Sequence, residues 1–143
     1  VEWVWARLFY LYGPNEHPQR LVPSIIRSLR EGKTVALTEG GQVRDFSHVQ
    51  DVARALVRVA ESSLTGIINV ASGQPTTVRE VAETIGALIG RPELLGFGRR
   101  PYAAGEPMRI TADVGQLRST GWKPRFTLPE GLAQTLRSYS SAE

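Results

Sequence analysis

A chain of 143 residues is the size of one domain and can bury its own core. With 41% hydrophobic and 22% charged residues its composition is ordinary for a globular protein, and no apolar run approaches the ~18 residues of a bilayer span. The net charge of +3 comes from scattered basic residues, which argues against a nucleic-acid surface, and the absence of cysteine excludes disulfides and thiolate chemistry. The first residues carry neither a basic region nor a small-residue cleavage site, so a cytoplasmic protein is expected.

The first apolar run, Val4-Trp5-Ala6-Arg7-Leu8-Phe9-Tyr10-Leu11-Tyr12, reads as one strand, ended by the turn Gly13-Pro14-Asn15. A strand of this composition needs neighbours on both edges, and little before it could supply one, so sequence upstream of Val1 is expected. Leu21, Ile25, Ile26 and Leu29 give a helix over residues 23–31 one apolar face, and Gly32 stops it. Thr34-Val35-Ala36-Leu37-Thr38 predicts a short strand, and Glu39-Gly40-Gly41 turns the chain into another over residues 43–46. Val49, Val52, Ala53, Leu56, Val57 and Ala60 recur at helical spacing and are expected to form the apolar face of the next helix. The run Ile67-Ile68-Asn69-Val70-Ala71 predicts a strand covered on both faces, followed by a loop at Ser72-Gly73-Gln74-Pro75.

Thr77-Val78-Arg79-Glu80 is a capping box. It opens a helix with Val78, Val81, Ala82, Ile85, Leu88 and Ile89 on one face, ended by Gly90. Residues 94–97 read as a short strand, residues 99–107 as a long loop, and Asp113 as the cap of a short helix ending at Gly121. A second capping box, Thr127-Leu128-Pro129-Glu130, opens the last helix through Leu132, Leu136 and Tyr139. No repeat, low-complexity segment or internal linker divides the chain, so residues 1–143 are taken as one α/β unit.

The most informative segment is Gly40-Gly41-Gln42-Val43-Arg44-Asp45-Phe46-Ser47-His48-Val49, followed by Gln50-Asp51-Val52-Ala53-Arg54-Ala55. Arg44 follows a glycine turn on a short extended run. A guanidinium held on a rigid element is suited to gripping a phosphate by paired hydrogen bonds. From the residues alone an ion pair with Asp45 or Asp51 is the alternative.

This segment resembles the Gly-x-x-Arg-Asp-Phe/Tyr-x-x-Val-x-Asp-Val/Leu-x-x-Ala stretch of the extended short-chain dehydrogenases that act on nucleotide sugars, the NAD-dependent epimerase/dehydratase family. The resemblance continues in family order. Arg7-Leu8-Phe9-Tyr10-Leu11-Tyr12-Gly13-Pro14 is similar to Arg-x-Phe-Asn-x-Tyr-Gly-Pro, and Arg20-Leu21-Val22-Pro23 to the Leu-x-Pro helix entry. Ile68-Asn69-Val70-Ala71-Ser72-Gly73 resembles the strand and turn Tyr/Ile-Asn-x-Gly-x-Gly. Gly121-Trp122-Lys123-Pro124 with Leu128-Pro129-Glu130-Gly131-Leu132 resembles the closing Gly-Trp-x-Pro…Leu-x-Glu-Gly-Leu.

The resemblance implies a C-terminal substrate-binding lobe with the last strands of a Rossmann-type doubly wound sheet, the N-terminal dinucleotide-binding portion being absent. It implies that Arg44 binds the substrate diphosphate, with Arg99 or Arg100 as a second phosphate contact. Leu21 would lie near the nucleotide, Val35 and Leu37 would flank its base, Glu106 would meet the ribose hydroxyls, and Phe9 would sit near the nicotinamide. Val35 and Leu37 are equally at home in a core, and arginine is common in loops such as the one holding Arg99 and Arg100. Tyr10 departs from the family's usual Asn, and Arg99 and Glu106 are spaced more widely than in a tight Arg-x-Gly-Asp pattern. Trp122 reads as packing and His48 as structural; two isolated histidines make no metal site.

The chain has neither a glycine fingerprint for a dinucleotide nor the family's Tyr-x-x-x-Lys pair: four residues after Tyr10, Tyr12, Tyr102 and Tyr139 stand Pro14, Glu16, Glu106 and Glu143. The complete enzyme is therefore expected to use NAD or NADP in an epimerase, 4-ketoreductase or dehydratase reaction on a nucleotide sugar. This chain alone is expected to be inactive and to bind little cofactor. A split enzyme, with a partner chain carrying the missing half, and a non-catalytic binding or scaffold protein are the rival expectations.

Overall fold

The computed structural model describes residues 2–140. In chain order the elements are β1 (Val4–Leu8), β2 (Tyr10–Tyr12), α1 (Leu21–Arg30), β3 (Val35–Ala36), β4 (Val43–His48), α2 (Val49–Ala60), β5 (Gly66–Val70) and β6 (Pro75–Thr77). They continue with α3 (Val78–Ile89), a 3-10 turn at Pro92–Leu94, β7 (Leu95–Gly96), β8 (Arg109–Ile110), α4 (Gly115–Ser119) and α5 (Leu128–Ser140). The fold is α/β. No helix among the described residues is long and apolar enough to cross a membrane.

The apolar run at the start is two strands, not one. β1 pairs in parallel with β5, Trp5 opposite Ile67 and Leu8 opposite Val70. The chain then breaks at Phe9, and β2 pairs in parallel with β4, Tyr10 opposite Phe46 and Tyr12 opposite His48. The ladder therefore changes partner at Phe9, from β5 to β4. β4 is the hub. Its first residues pair antiparallel with β6 and parallel with β8, and its last residues pair with β2. β3 and β7 form a separate parallel pair. β6 and β8 fall in stretches that the sequence reading left without strands; elements this short carry no periodicity to detect.

Two cores result. Helices α1, α3 and α5 pack around Ile25, Ile26, Leu29, Val81, Ile85 and Leu132. The other core joins Val52, Ala55 and Val59 of α2 to Ile68 and Val70 of β5, with Leu117 and Trp122. Trp122 is thus a packing residue, and its indole N–H donates to the Asp51 carbonyl at 3.2 Å.

The buried face of α2 differs from the expected one. Asp51, Val52, Ala55 and Val59 are buried, whereas Ala53, Leu56, Val57 and Ala60 are exposed. Asp51 goes inward because its carboxylate accepts the amides of Arg125 and Phe126 and the guanidinium of Arg54. β5 is also covered on one face only: Ile68 and Val70 are fully buried and Ile67 is 50% exposed. The two capping boxes form as expected. Thr77 caps α3 with Glu80 returning the bond, and Thr127 and Glu130 do the same at the start of α5.

Candidate functional site

Gly40 and Gly41 set the direction of the chain into β4. Gly40 takes a left-handed φ of 76°, and a Cβ there would lie 2.8–3.0 Å from Arg79. A side chain would therefore be strained by conformation and blocked by α3 at once. From this turn, Gln42, Arg44, Phe46 and His48 fall on one side of the extended chain and Asp45 and Ser47 on the other. The backbone at Arg44 is paired on both edges, to Thr76 of β6 and Ile110 of β8, which fixes where its side chain leaves the sheet.

The side chain of Arg44 leads into a cleft of about 310 Å³. Tyr10 and Arg44 come from neighbouring strands, Leu21 is the first residue of α1, and Leu37 and Thr38 directly follow β3. Gln42 and Val78 add to the wall, and Arg100 and Glu106 reach it from the segment between β7 and β8. The mixture of a few apolar walls with convergent polar groups is the usual make-up of a small-molecule site. The amino end of α1 opens at Leu21 with no side-chain cap and no acidic residue in its first turn. Such an end presents backbone N–H groups to an anion.

Arg44 is nearly inaccessible, with 6% of its side chain exposed, and its Nη2 lies 3.2 Å from Glu106 Oε1. Its Nη1 donates to the Val43 carbonyl at 2.9 Å, and its guanidinium carbon lies 5.4 Å from the Tyr10 ring centroid. Neither Asp45 nor Asp51 is its partner. Asp45 is wholly buried and accepts Ser72 N–H, Ser72 O–H and Gly73 N–H at 2.6–2.9 Å. Those bonds tie β4 to the turn after β5. Glu106 also accepts from Gln42 Nε2 at 3.3 Å and from the Ala103 amide at 3.4 Å.

Of the residues expected at a site, Leu21, Leu37, Arg44, Arg100 and Glu106 share this cleft. Leu37 lines the cleft and also belongs to the core around α1. Val35 and Arg99 lie outside the cleft. Val35 pairs with Leu95 and packs on the core, and Arg99 is exposed and lies across Gly96. Phe9 is half-buried at the break between β1 and β2 and does not line the cleft, although its neighbour Tyr10 does. Gln42 and Thr38 were missed. The period of two on β4 could have found Gln42, which stands two residues before Arg44 on the same side.

His48 caps α2, its Nδ1 accepting the Gln50 amide at 3.3 Å. Burial holds its pKa below the usual value, against the Asp51 carboxylate and the Gln134 amide, which favour the charged form. It lines a different, small recess of about 20 Å³ and not the cleft. Its role is structural. Among the described residues no group of three or more His, Cys, Asp or Glu side chains is placed to hold a metal ion.

The model of the NAD dependent epimerase/dehydratase family matches residues 1–71. GDP-L-fucose synthase 1 of Arabidopsis thaliana is 34% identical over 142 residues, a match covering 90% of this chain and 43% of that protein. The crystal structure of Thermus thermophilus UDP-glucose 4-epimerase in complex with NAD superposes with a TM-score of 0.87 at 28% identity, over 100% of this chain and 48% of that one. The dTDP-glucose 4,6-dehydratase of Bacillus anthracis in complex with NAD gives 0.87 at 26% identity, over 98% and 45%. This chain therefore spans less than half the length of each of these relatives.

Proposed function

Because the chain belongs to the NAD dependent epimerase/dehydratase family, we propose that its cleft binds the diphosphate and nucleoside of a nucleotide sugar, and that it serves as the substrate-binding lobe of an epimerase, 4-ketoreductase or dehydratase. The observation that carries this reading is the buried Arg44 guanidinium facing a cleft that also holds Arg100 and the uncapped start of α1. A diphosphate carries more charge than one guanidinium matches, so a second cation and free backbone donors at the same cleft fit it. Leu21, Leu37 and Val78 offer apolar contact to a base. Glu106 offers a carboxylate to ribose hydroxyls.

Binding of the nucleotide in this lobe would fix the sugar beside the reacting groups. Binding energy gained far from the reacting carbon is spent there on orientation. The residues of this chain do not fit a whole dinucleotide. β4 runs into α2 through His48-Val49, and β6 into α3 through Thr77-Val78, with no glycine at either junction. A pyrophosphate requires closely spaced glycines at such a junction. No Tyr-x-x-x-Lys pair is present to move a proton during hydride transfer.

We further propose that residues 1–143 are the C-terminal portion of the enzyme, joined through the free edge of β1 to a larger parallel sheet. Trp5 and Ile67 stand opposite each other on one face of the β1–β5 pair, 67% and 50% exposed. Purely parallel sheets are normally covered on both faces, and a pair of strands is marginal alone.

Calorimetric titration with UDP-, dTDP-, CDP- and GDP-sugars tests the binding reading, with Arg44→Ala as the control. One nucleotide is expected to bind saturably and to weaken at least about tenfold without Arg44, the scale of a lost charge-assisted bond. Equal binding by the variant would sink the assignment of the cleft.

A further inference from the structure

We infer that Glu106 is a specificity-determining residue: it is a tethered anion that occupies Arg44, and it thereby discriminates against simple phosphates and favours ligands that bring hydroxyl donors beside their phosphate. The inference rests on the reading of the cleft as a nucleoside diphosphate site. It starts from the donors of Arg44. Nη1 is committed to the Val43 carbonyl, and Nη2 faces the Glu106 carboxylate. Other N–H groups of the guanidinium remain, so a phosphate need not evict Glu106, but at this guanidinium it lies beside that carboxylate and competes for the same positive charge.

The pair is unequal in exposure, 6% for Arg44 and 26% for Glu106. A guanidinium that is nearly inaccessible needs a counter-charge, and the carboxylate supplies it. When a phosphate takes over that role, Glu106 loses its cation and faces a second anion at close range. Inorganic phosphate and pyrophosphate bring no sugar hydroxyls to satisfy the displaced carboxylate.

Gln42 prevents Glu106 from simply swinging away. Thr38 Oγ1 donates to Gln42 Oε1 at 3.1 Å, which leaves Gln42 Nε2 to donate to Glu106 Oε1 at 3.3 Å. The Ala103 amide meets the other carboxylate oxygen at 3.4 Å. Glu106 is thus held in the cleft by groups other than Arg44. A displaced carboxylate held in place is an acceptor waiting for donors. Vicinal hydroxyls next to the ligand phosphate supply them; a bare phosphate does not. Selection then works by a cost imposed on the wrong ligand as much as by contacts to the right one.

The test is calorimetric titration of the protein at its full natural length with inorganic pyrophosphate, UDP and GDP, comparing the parent with Glu106→Gln, Glu106→Ala and Arg44→Ala. Removing the carboxylate charge is expected to tighten pyrophosphate binding by about tenfold, the scale of one hydrogen bond to a charged group. Binding of the preferred nucleoside diphosphate is expected to gain nothing or to weaken, so the preference for it over pyrophosphate falls about tenfold or more. Glu106→Ala is expected to move both affinities in the same directions. Unchanged or weaker pyrophosphate binding in both Glu106 variants, with that binding still lost in Arg44→Ala, would overturn the inference while leaving the cleft assignment standing. Pyrophosphate binding that survives Arg44→Ala would overturn the cleft assignment and this inference with it.

Discussion

Asp45 is fully buried and accepts three hydrogen bonds from Ser72 and Gly73, whereas Glu16 has one oxygen, Oε2, buried with no partner. The partners of Asp45 lie 27 and 28 residues further along the chain, whereas Glu16 meets Arg20, four residues on, through its other oxygen. Burial pushes Glu16 up from its ordinary 4.5 to about 7, with Arg20 opposing at 3.6 Å. Between those values the folded protein holds a proton that the unfolded chain has released. The stability this contributes is complete below 4.5 and is lost as pH rises through about 7. Glu16→Gln is expected to flatten this slope and to be more stable than the parent at pH 8 by roughly 1 kcal/mol after allowance for solvent screening. Urea midpoints at pH 5 and pH 8 read this directly. An unchanged difference between the two pH values in the variant would assign the slope to another group. At the same scale, the glycine turn before Arg44 made its place at the start of a strand legible. Its actual partner, Glu106, was named for a different role.

The helices were legible where local rules decide them. α3 and α5 start at their capping boxes, and α1 begins two residues before the expected start. The apolar face of α2 was not, because its apolar positions cover more than one stripe and the choice between them depends on what packs there. The Asp51 carboxylate, drawn in by the Arg125 and Phe126 amides, turns the helix so that Leu56 and Val57 face outward. α5 offers a test in which helix propensity and packing have opposite signs. Alanine at Gly131 would favour the helix by about 1 kcal/mol on propensity alone. Its methyl group, however, would meet the hydroxyl of Tyr12, which is buried against His48 with their rings edge to face. Gly131→Ala is expected to destabilise by about 1–3 kcal/mol, the cost of overpacking. A stabilised variant in chemical denaturation would show that α5 can shift away from β2.

At the scale of the whole molecule, the β1–β5 pair is a two-stranded parallel sheet with one exposed apolar face. One of its faces packs on α2 and α4, and the other presents Trp5 and Ile67. If a further parallel strand joins β1, its amides are protected twice over, by a second ladder and by a covering layer. Hydrogen exchange across Val4–Leu8 is therefore expected to be slow in the protein at its full natural length. It is expected to be at least about a hundredfold faster in residues 1–143 alone, in line with loss of a few kcal/mol of local protection. Equal rates would remove the case for a larger sheet. Among the described residues the β4–α2 and β6–α3 junctions carry no glycine for a dinucleotide. Residues 1–143 alone are accordingly expected to show no NAD-dependent conversion of a nucleotide sugar.

The sequence by itself determined the features that depend on neighbours within a turn or two: the capping of α3 by Thr77 and Glu80, the left-handed turn at Gly40, and the place of Arg44 on a strand. Each leaves a local mark in the order of residues, a capping box, a glycine pair or a short extended run, even where distant pairing completes it. Tertiary structure alone decided which partner each strand takes after the break at Phe9, which stripe of α2 is buried, and how Arg44 is neutralised. Arg44 and Glu106 lie 62 residues apart, and Asp51 meets Arg125 across 74. Contacts of that range are set by how the layers close on one another, and no local pattern encodes them.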